Sequence, residues 1–171
     1  MLNTSAVKKV WLVISPHNPL KEKSSLLNEF DRLHLANLAI EDNPNLKTSQ
    51  IEFKLPQPSY TIDTLAYLKE KYPQHEFVLI MGGDNLISLP KWKNYQKLLE
   101  QYEVLVYKRE PNQKLPESLK SYSEKIHLLD VPLLQISSSY IRDCIKQKKS
   151  IRYLVTDKVN DYIQLAGYYK N

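Results

Sequence analysis

The chain has 171 residues, of which 42% are hydrophobic, so it can bury one core, and we predict a single domain over residues 1–171. It contains no apolar run of roughly 18 residues and only one cysteine, Cys144, which argues against a membrane partner and an internal disulfide and favours the cytoplasm. Its net charge of +5 comes from scattered lysines, which indicate anionic small molecules rather than nucleic acid as ligands.

Strand and helix patterns alternate along the chain. The apolar run Val10–Ile14 predicts a buried strand, apolar spacing predicts a helix over Phe30–Ile40, and the alternation in Gln50–Leu55 predicts a short strand. Later patterns predict helices at Thr61–Tyr72, Lys93–Gln101, Ser139–Gln147 and Thr156–Leu165, and strands at Phe77–Met81, Val104–Tyr107 and Ile126–Leu129. This order predicts an α/β fold with a doubly wound parallel sheet. Ligands of such sheets bind outside the carboxyl ends of the strands.

The segments that follow the strands carry the candidate residues. The loop Ser15-Pro-His-Asn-Pro-Leu-Lys21 follows the first strand, and Lys21 could reach a phosphate as a point charge. An ordinary solvated loop is the alternative. Gly82-Gly83-Asp84 follows a later strand and suggests close backbone approach to a ligand or positive φ angles, with Asp84 accepting ribose hydroxyls. A plain turn with Asp84 as N-cap is equally open.

Three further segments admit both a structural and a ligand-binding interpretation. Trp92 either belongs to the core or stacks on an aromatic ligand. Thr61 fits an N-cap, and the same helix start would offer backbone N–H groups to a carboxylate. Ile136-Ser-Ser-Ser-Tyr-Ile-Arg142 begins a helix with more serines than capping needs, so a polyphosphate cradle is favoured over capping alone. A Walker loop and a Gly-x-Gly-x-x-Gly motif are absent from the sequence.

Five segments in this order carry a family resemblance. Pro-His-Asn-Pro-x-Lys, Pro-Ser-Tyr-Thr-Ile-Asp-Thr-Leu, Gly-Gly-Asp-Asn-Leu…Lys-Trp, Tyr-Lys-Arg and Ile-Ser-Ser-Ser-x-Ile-Arg resemble the bacterial nicotinate-nucleotide adenylyltransferases of the nucleotidyltransferase superfamily. The likeness runs from about Lys8 to Tyr162 and implies a Rossmann-like fold. The serine–arginine motif is shared by other adenylyltransferases, whereas the Tyr-Thr-Ile-Asp-Thr and Asp…Trp segments are more particular to this family.

One departure from the family pattern lies at the N-terminus. The family begins with a strand leading into Gly-x-Phe-x-Pro-x-His-x-Gly-His, whose histidines contact the ATP phosphates, and nothing in this sequence matches it. We expect a truncation of about 20 residues, with a natural homologue lacking the motif as the alternative. The missing strand would be central, between Val10–Ile14 and Phe77–Met81. Its absence leaves the activity of this exact chain open.

The resemblance implies transfer of AMP from ATP to nicotinate mononucleotide, a step of NAD biosynthesis that gives nicotinate adenine dinucleotide and pyrophosphate. It implies that Ser137, Ser138 and Arg142 hold the triphosphate, with Ile136 in the same ATP-binding segment and with Ser138 and Arg142 as catalytic residues. Mg²⁺ would arrive with ATP, held by phosphates and water, so no metal ligands from the protein are expected.

The resemblance also implies an acceptor site. Its residues would be Lys21 for the mononucleotide phosphate, Asp84 for ribose, Trp92 for the pyridine ring, the Thr61 backbone for the carboxylate, and Gly82. Two alternatives stay open at this point. One is another adenylyltransferase that acts on nicotinamide mononucleotide or phosphopantetheine, and the other is a non-catalytic nucleotide-binding remnant. A homo-oligomer is compatible with the sequence.

Overall fold

The chain alternates strands and helices, as the sequence predicts. The structure is a computed structural model that describes residue 2 and residues 6–16, 26–110, 112–132 and 136–170. The strands within these ranges are β1 (Val10–Val13), β2 (Leu46–Ser49), β3 (Leu79–Gly82), β4 (Val104–Tyr107) and β5 (Ile126–Leu129). The α-helices are α1 (Glu29–Ile40), α2 (Thr61–Lys71), α3 (Gly83–Ser88), α4 (Tyr95–Gln101), α5 (Ser138–Lys146) and α6 (Asp157–Ala166). Short 3₁₀ helices cover Ile51–Lys54, Leu89–Lys91 and Glu117–Tyr122.

The first of two compact units comprises Met1–Lys54 and Leu134–Asn171. In it β1 and β2 pair in parallel, with Val10 opposite Leu46. Helix α1 contacts both β2 and α6. Buried apolar side chains of α5 and α6 and of the segment between them form its core: Cys144, Ile145, Ile151, Val159 and Ile163. An ion pair between Lys158 and Glu41 joins α6 to the end of α1.

The second unit, Leu55–Leu133, is built on a parallel sheet of β3, β4 and β5, with β4 in the middle. The β4 sequence Val-Leu-Val-Tyr suits a central strand because β-branched residues pack well on both faces of a covered sheet. Val104 and Val106 are fully buried there. The apolar faces of α3 and α4 cover the sheet with Leu86, Leu98 and Leu99, each fully buried as well.

The strand predicted over Gln50–Leu55 is wrong. The strand is β2, and Ile51–Lys54 forms a 3₁₀ turn in which the Phe53 N–H donates to the Gln50 carbonyl at 3.0 Å. Over four residues an alternating apolar pattern does not separate a strand from a 3₁₀ turn that buries its first residue, as this one buries Ile51. Strand β2 was missed because Leu-Lys-Thr-Ser contains a single large apolar residue.

Other boundaries moved by one or two residues. Helix α4 begins at Tyr95 because Asn94 adopts a left-handed conformation with φ of 52°, which the α-helix does not tolerate. The described strands form two separate sheets, β1-β2 and β3-β4-β5. A central strand ahead of Val10 stays a prediction, and so does the single domain. Among the described residues there is no helix long and apolar enough to cross a membrane.

Candidate functional site

The turn from β3 into α3 is built on two adjacent buried glycines. Neither Gly82 nor Gly83 has a positive φ, so that part of the expectation is wrong. Their small size is required by close contacts instead. A Cβ on Gly82 would lie 2.5 Å from Asp84 Oδ1 and 3.0 Å from the Tyr107 hydroxyl, and one on Gly83 would overlap the Gln113 amide. The glycines therefore let polar side chains of the same unit approach the backbone closely.

Asp84 lies in the first turn of α3 with its carboxylate two-thirds exposed. The N-cap is Gly82, so the alternative role of Asp84 as N-cap is wrong. Its Oδ1 lies 3.6 Å from Arg109 Nε, and the Arg109 guanidinium donates a 3.4 Å hydrogen bond to the Tyr107 hydroxyl. Asp84 is thus held at the carboxyl end of β3, where an open parallel sheet binds ligands.

Sequence reasoning missed Arg109 and Tyr107 as neighbours of the Gly82–Asp84 turn. A signal was available, because Tyr107-Lys-Arg109 directly follows the strand β4. The parallel register of β3 and β4 places Tyr107 opposite Gly82. Residues that follow neighbouring parallel strands meet at the same sheet edge, so Tyr107 and Arg109 belong beside Asp84.

Trp92 ends the 3₁₀ helix Leu89–Lys91 and is partly buried against the core of the second unit. Its indole Nε1 is buried and has no hydrogen-bond partner in the part of the chain that the structure describes. Trp92 therefore packs against the core of the second unit, while its indole N–H bonds to none of the described residues.

Thr61 is the first residue of α2, and Tyr60 is its N-cap without a side-chain bond, so the N-cap role expected for Thr61 is wrong. The first N–H groups of a helix have no intrahelical acceptor, which leaves backbone donors at this end of α2. Asp63 in the same turn forms a 2.8 Å ion pair with Lys93. Since Lys93 follows Trp92, this pair joins the start of α2 to the Trp92 segment.

The serine-rich segment begins α5 in the first unit. Ser137 is the N-cap, and its hydroxyl oxygen accepts a 3.1 Å hydrogen bond from the Tyr140 N–H. The Ser139 hydroxyl accepts a 3.0 Å hydrogen bond from Arg142 Nη2, while Ser138 occupies the first helical position between them. The side chains from Ile136 to Tyr140 are exposed. Capping uses only the oxygen of the Ser137 hydroxyl as an acceptor. The hydroxyl protons of Ser137 and Ser138 can therefore still be donated to an anion.

Arg142 lies one turn into α5, partly buried, with its guanidinium 6.0 Å from the centre of the Tyr169 ring. Burial raises the pKa of the Tyr169 phenol, and the nearby Arg142 and Arg32 charges only partly oppose that rise. The ring therefore stays neutral near pH 7 and does not neutralise the guanidinium. Arg142 retains its positive charge beside the exposed helix start.

Lys21, the predicted ligand of the mononucleotide phosphate, lies outside the described residues. The described candidates divide between the two units. Gly82, Asp84, Thr61 and Trp92 belong to the second unit, and the Ile136–Arg142 segment belongs to the first. In the described part of the chain there is no cluster of three or more histidine, cysteine or carboxylate side chains that could hold a metal ion.

Known proteins resemble this chain in sequence over nearly its whole length. A family model described as cytidylyltransferase-like matches residues 3–144. A Flavobacterium psychrophilum protein named "Probable nicotinate-nucleotide adenylyltransferase" is 49% identical over 99% of this chain and 88% of its own length. A protein of the same name from Cytophaga hutchinsonii is 47% identical over 100% of this chain and 88% of its own length.

A solved structure supports the fold. The Plasmodium falciparum nicotinic acid mononucleotide adenylyltransferase complexed with NaAD matches with a TM-score of 0.74, covering 95% of this chain and 83% of that one at 21% identity. The parallel sheets with flanking helices and this likeness confirm the predicted Rossmann-like nucleotidyltransferase fold. With identities near one half over nearly all of the sequence, the chain belongs to the nicotinate-nucleotide adenylyltransferase family.

Proposed function

We propose that this chain transfers AMP from ATP to nicotinate mononucleotide and so takes part in NAD biosynthesis. The observation that carries this proposal is the 45–49% identity to relatives named nicotinate-nucleotide adenylyltransferase over nearly the full chain. In the reaction a phosphate oxygen of nicotinate mononucleotide attacks the α-phosphorus of ATP. The bond to the β-phosphate breaks, and the products are nicotinate adenine dinucleotide and pyrophosphate.

The attacking group requires no side-chain base. A phosphate monoester has a second pKa near 6, so it is already a dianion near neutral pH. Catalysis then consists of aligning the two phosphates and stabilising the charge that develops during transfer. This agrees with the described residues, in which the candidate segments contain hydroxyls, backbone donors and cations rather than a histidine–carboxylate pair.

The start of α5 is the proposed site for the ATP phosphates. Ile136 precedes an exposed helix N-terminus whose unpaired N–H groups favour anions. The Ser137 hydroxyl accepts the capping bond and can still donate its proton to a phosphate oxygen, and Ser138 can do the same. Arg142 would contact the phosphates that carry the developing charge, so Ser138 and Arg142 are the proposed catalytic residues.

The second unit supplies the proposed acceptor contacts. Asp84 would accept hydrogen bonds from both ribose hydroxyls, because its carboxylate is two-thirds exposed and offers two oxygens. The Gly82 backbone and the N–H groups at Thr61 would bind the nicotinate end, whose carboxylate suits a helix start. Trp92 would stack on the pyridine ring. Lys21 would hold the mononucleotide phosphate.

Nucleotidyltransferases of this kind typically use a divalent metal ion together with ATP, and we propose Mg²⁺ here. Mg²⁺ keeps several waters and binds through few carboxylates plus the substrate phosphates. That preference fits a chain whose described residues contain no cluster of metal-binding side chains. The ion would neutralise phosphate charge. For localisation we propose the cytoplasm, because a single cysteine allows no internal disulfide.

Pyrophosphate release tests the proposal. It would be measured on the chain as given and on an extended chain, joined at Met1 to the family's Gly-x-Phe-x-Pro-x-His-x-Gly-His segment. Nicotinate mononucleotide, nicotinamide mononucleotide and phosphopantetheine would serve as acceptors. We expect the highest kcat/KM with nicotinate mononucleotide. A preference for another acceptor, or binding without turnover in both chains, would contradict the proposed reaction.

Replacing Trp92 with alanine is expected to raise KM for nicotinate mononucleotide about fivefold while KM for ATP hardly changes. The loss of ring stacking corresponds to about 1 kcal/mol. Steady-state kinetics of the extended chain would measure both constants, and thermal unfolding would report the loss of core packing. Trp92→Phe serves as the matched variant, since it keeps a ring for stacking and lacks the indole donor. Equal rises of both KM values would assign Trp92 to packing alone.

A further inference from the structure

A basic pocket lies at the far end of α5 from the serine-rich segment, entirely within the first unit. Its volume is about 520 Å³, within the range of small-molecule sites. Ile145, which is only 6% exposed, is one of the residues that line it. Four cations line it, Lys148, Lys149, Arg152 and Lys170, together with the neutral polar side chains Ser150, Asn160 and Gln164. None of the residues that line it is a carboxylate.

Among the residues that the structure describes, no ion pair neutralises the lysines that line this basic pocket. Within the described residues, the ion pair formed by a lining cation is the loose one between Arg152 Nε and Asp157 Oδ1, 3.9 Å apart. Lys148 and Lys149 have no acidic partner in that part of the chain. Lys170 donates a 3.2 Å hydrogen bond to the Gln164 carbonyl. Four cations gathered with one loose counterion raise the local positive potential and so favour an anionic ligand.

The attraction of cations to a helix C-terminus does not by itself explain the positive charge of the basic pocket. A helix C-terminus attracts cations to its unpaired carbonyls, which would account for Lys148 and Lys149. Here, however, the N–H groups of these two lysines already bond to the Ile145 and Cys144 carbonyls at 2.9 and 2.8 Å. All four cations lie outside α5, which ends at Lys146. Lys148, Lys149 and Arg152 belong to the loop between α5 and α6, and Lys170 follows α6. The cations therefore come from two segments, and not from the end of α5 alone.

The backbone holds two of the flanking side chains in an unusual conformation. Lys148 has a φ of 56° and Tyr153 a φ of 68°, in the left-handed region that non-glycine residues rarely occupy. The Tyr153 side chain is 88% exposed, and the Arg152 guanidinium lies 5.8 Å from its ring centre. An exposed aromatic ring beside a cationic pocket provides a surface on which a nucleobase can stack.

We propose that this basic pocket binds a nucleoside polyphosphate, with the phosphates between Lys148, Lys149 and Arg152 and the base against Tyr153. The pocket is separate from the proposed ATP phosphate site. Ser138 is the first residue of α5, and Ile145 of the pocket lies in its last turn, seven residues later, which corresponds to about 10 Å along a helix; Lys148 lies beyond the helix end. The inference does not depend on the proposed reaction, because none of its residues takes part in it.

The test is an amide NMR titration of the full 171-residue chain, which at 20.1 kDa is small enough for resolved spectra. Inorganic tripolyphosphate and ATP are the probes. We expect both to shift the amides of Ser150, Arg152 and Gln164. Lys148→Gln combined with Lys149→Gln should weaken that binding about tenfold or more. Lys69→Gln combined with Lys97→Gln removes the same charge from exposed positions in the second unit and should leave it unchanged.

The ATP and tripolyphosphate arms separate base recognition from phosphate recognition. ATP is expected to bind more tightly than tripolyphosphate, and Tyr153→Ala should abolish that difference. Any ATP binding at the other end of α5 appears separately, in the Ser137 and Ser139 amides. The proposal is overturned if the pocket amides do not move, or if both lysine pairs have equal effects. It is also overturned if a short single-stranded RNA binds the pocket at least tenfold more tightly than ATP.

Discussion

Replacing Arg142 with alanine in the extended chain is expected to lower kcat/KM by roughly 30- to 1,000-fold, or roughly 2–4 kcal/mol of transition-state stabilisation. The reason is geometric and electrostatic. Arg142 is held beside the exposed α5 N-terminus by its 3.0 Å bond to the Ser139 hydroxyl, and its fork can contact phosphate oxygens in pairs. The contact strengthens as charge moves onto the leaving pyrophosphate. Steady-state pyrophosphate release with both substrates varied measures the loss.

Two variants of the same helix make the Arg142 result specific. Lys146→Ala removes an exposed positive charge from the last turn of α5, so it reproduces the change in net charge and helix composition without touching the phosphate site. It should leave kcat/KM within about twofold. Arg142→Lys keeps the charge and loses the fork, so an intermediate value is expected. A near-normal kcat/KM for Arg142→Ala would contradict the catalytic role and leave Arg142 only a structural one, through its contacts with Ser139 and Tyr169.

The sequence predicted strands β4 and β5 to the residue, because short, mostly apolar runs bounded by polar segments admit few alternatives. It also placed Arg142 one turn from Ser139, since spacing along a helix is local. The contacts between distant segments were not predicted, although the position of Arg109 directly after β4 offered a signal. The Gln113 amide occupies the space beside Gly83, and Arg109 reaches Asp84 from the neighbouring strand. Which atoms meet there depends on the register of β3 and β4 and on the loop that follows β4, and the strand patterns alone do not specify either.

The N-termini of α5 and α2 also differ in how far the sequence predicted them. The three serines predicted a helix start with more hydroxyls than capping needs, without naming the cap, and in the structure Ser137 caps α5. At α2 the local pattern favoured Thr61 as N-cap, but Thr61 is the first helical residue and the N-cap is Tyr60. The Lys93 ammonium lies 4.4 Å from the Tyr60 ring centre and pairs with Asp63, so side chains thirty residues away contact this end of the helix. These tertiary contacts accompany a cap that the local preference of about 1 kcal/mol did not predict.

Replacing Asp84 with alanine is expected to lower kcat/KM for nicotinate mononucleotide by roughly 10- to 150-fold, or roughly 1.5–3 kcal/mol, because the carboxylate would accept hydrogen bonds from the acceptor ribose. The loss should appear mainly in KM for the mononucleotide. Asp130→Ala is the matched control in the extended chain, since it removes a carboxylate that is 97% exposed and lies 4.0 Å from Lys108. That variant should leave both substrate constants unchanged.

A second acceptor shows whether Asp84 acts on the ribose or only through Arg109. The carboxylate lies 3.6 Å from Arg109 Nε, so its removal also frees that guanidinium, and a loss of activity could arise from the freed cation. With 2′-deoxynicotinate mononucleotide one of the two hydroxyls is absent, and the effect of Asp84→Ala should shrink by about tenfold, the signature of a direct contact in a double-mutant cycle. An Asp84→Ala loss of the same size with both acceptors would assign the carboxylate to holding Arg109 and the Gly82 turn in place.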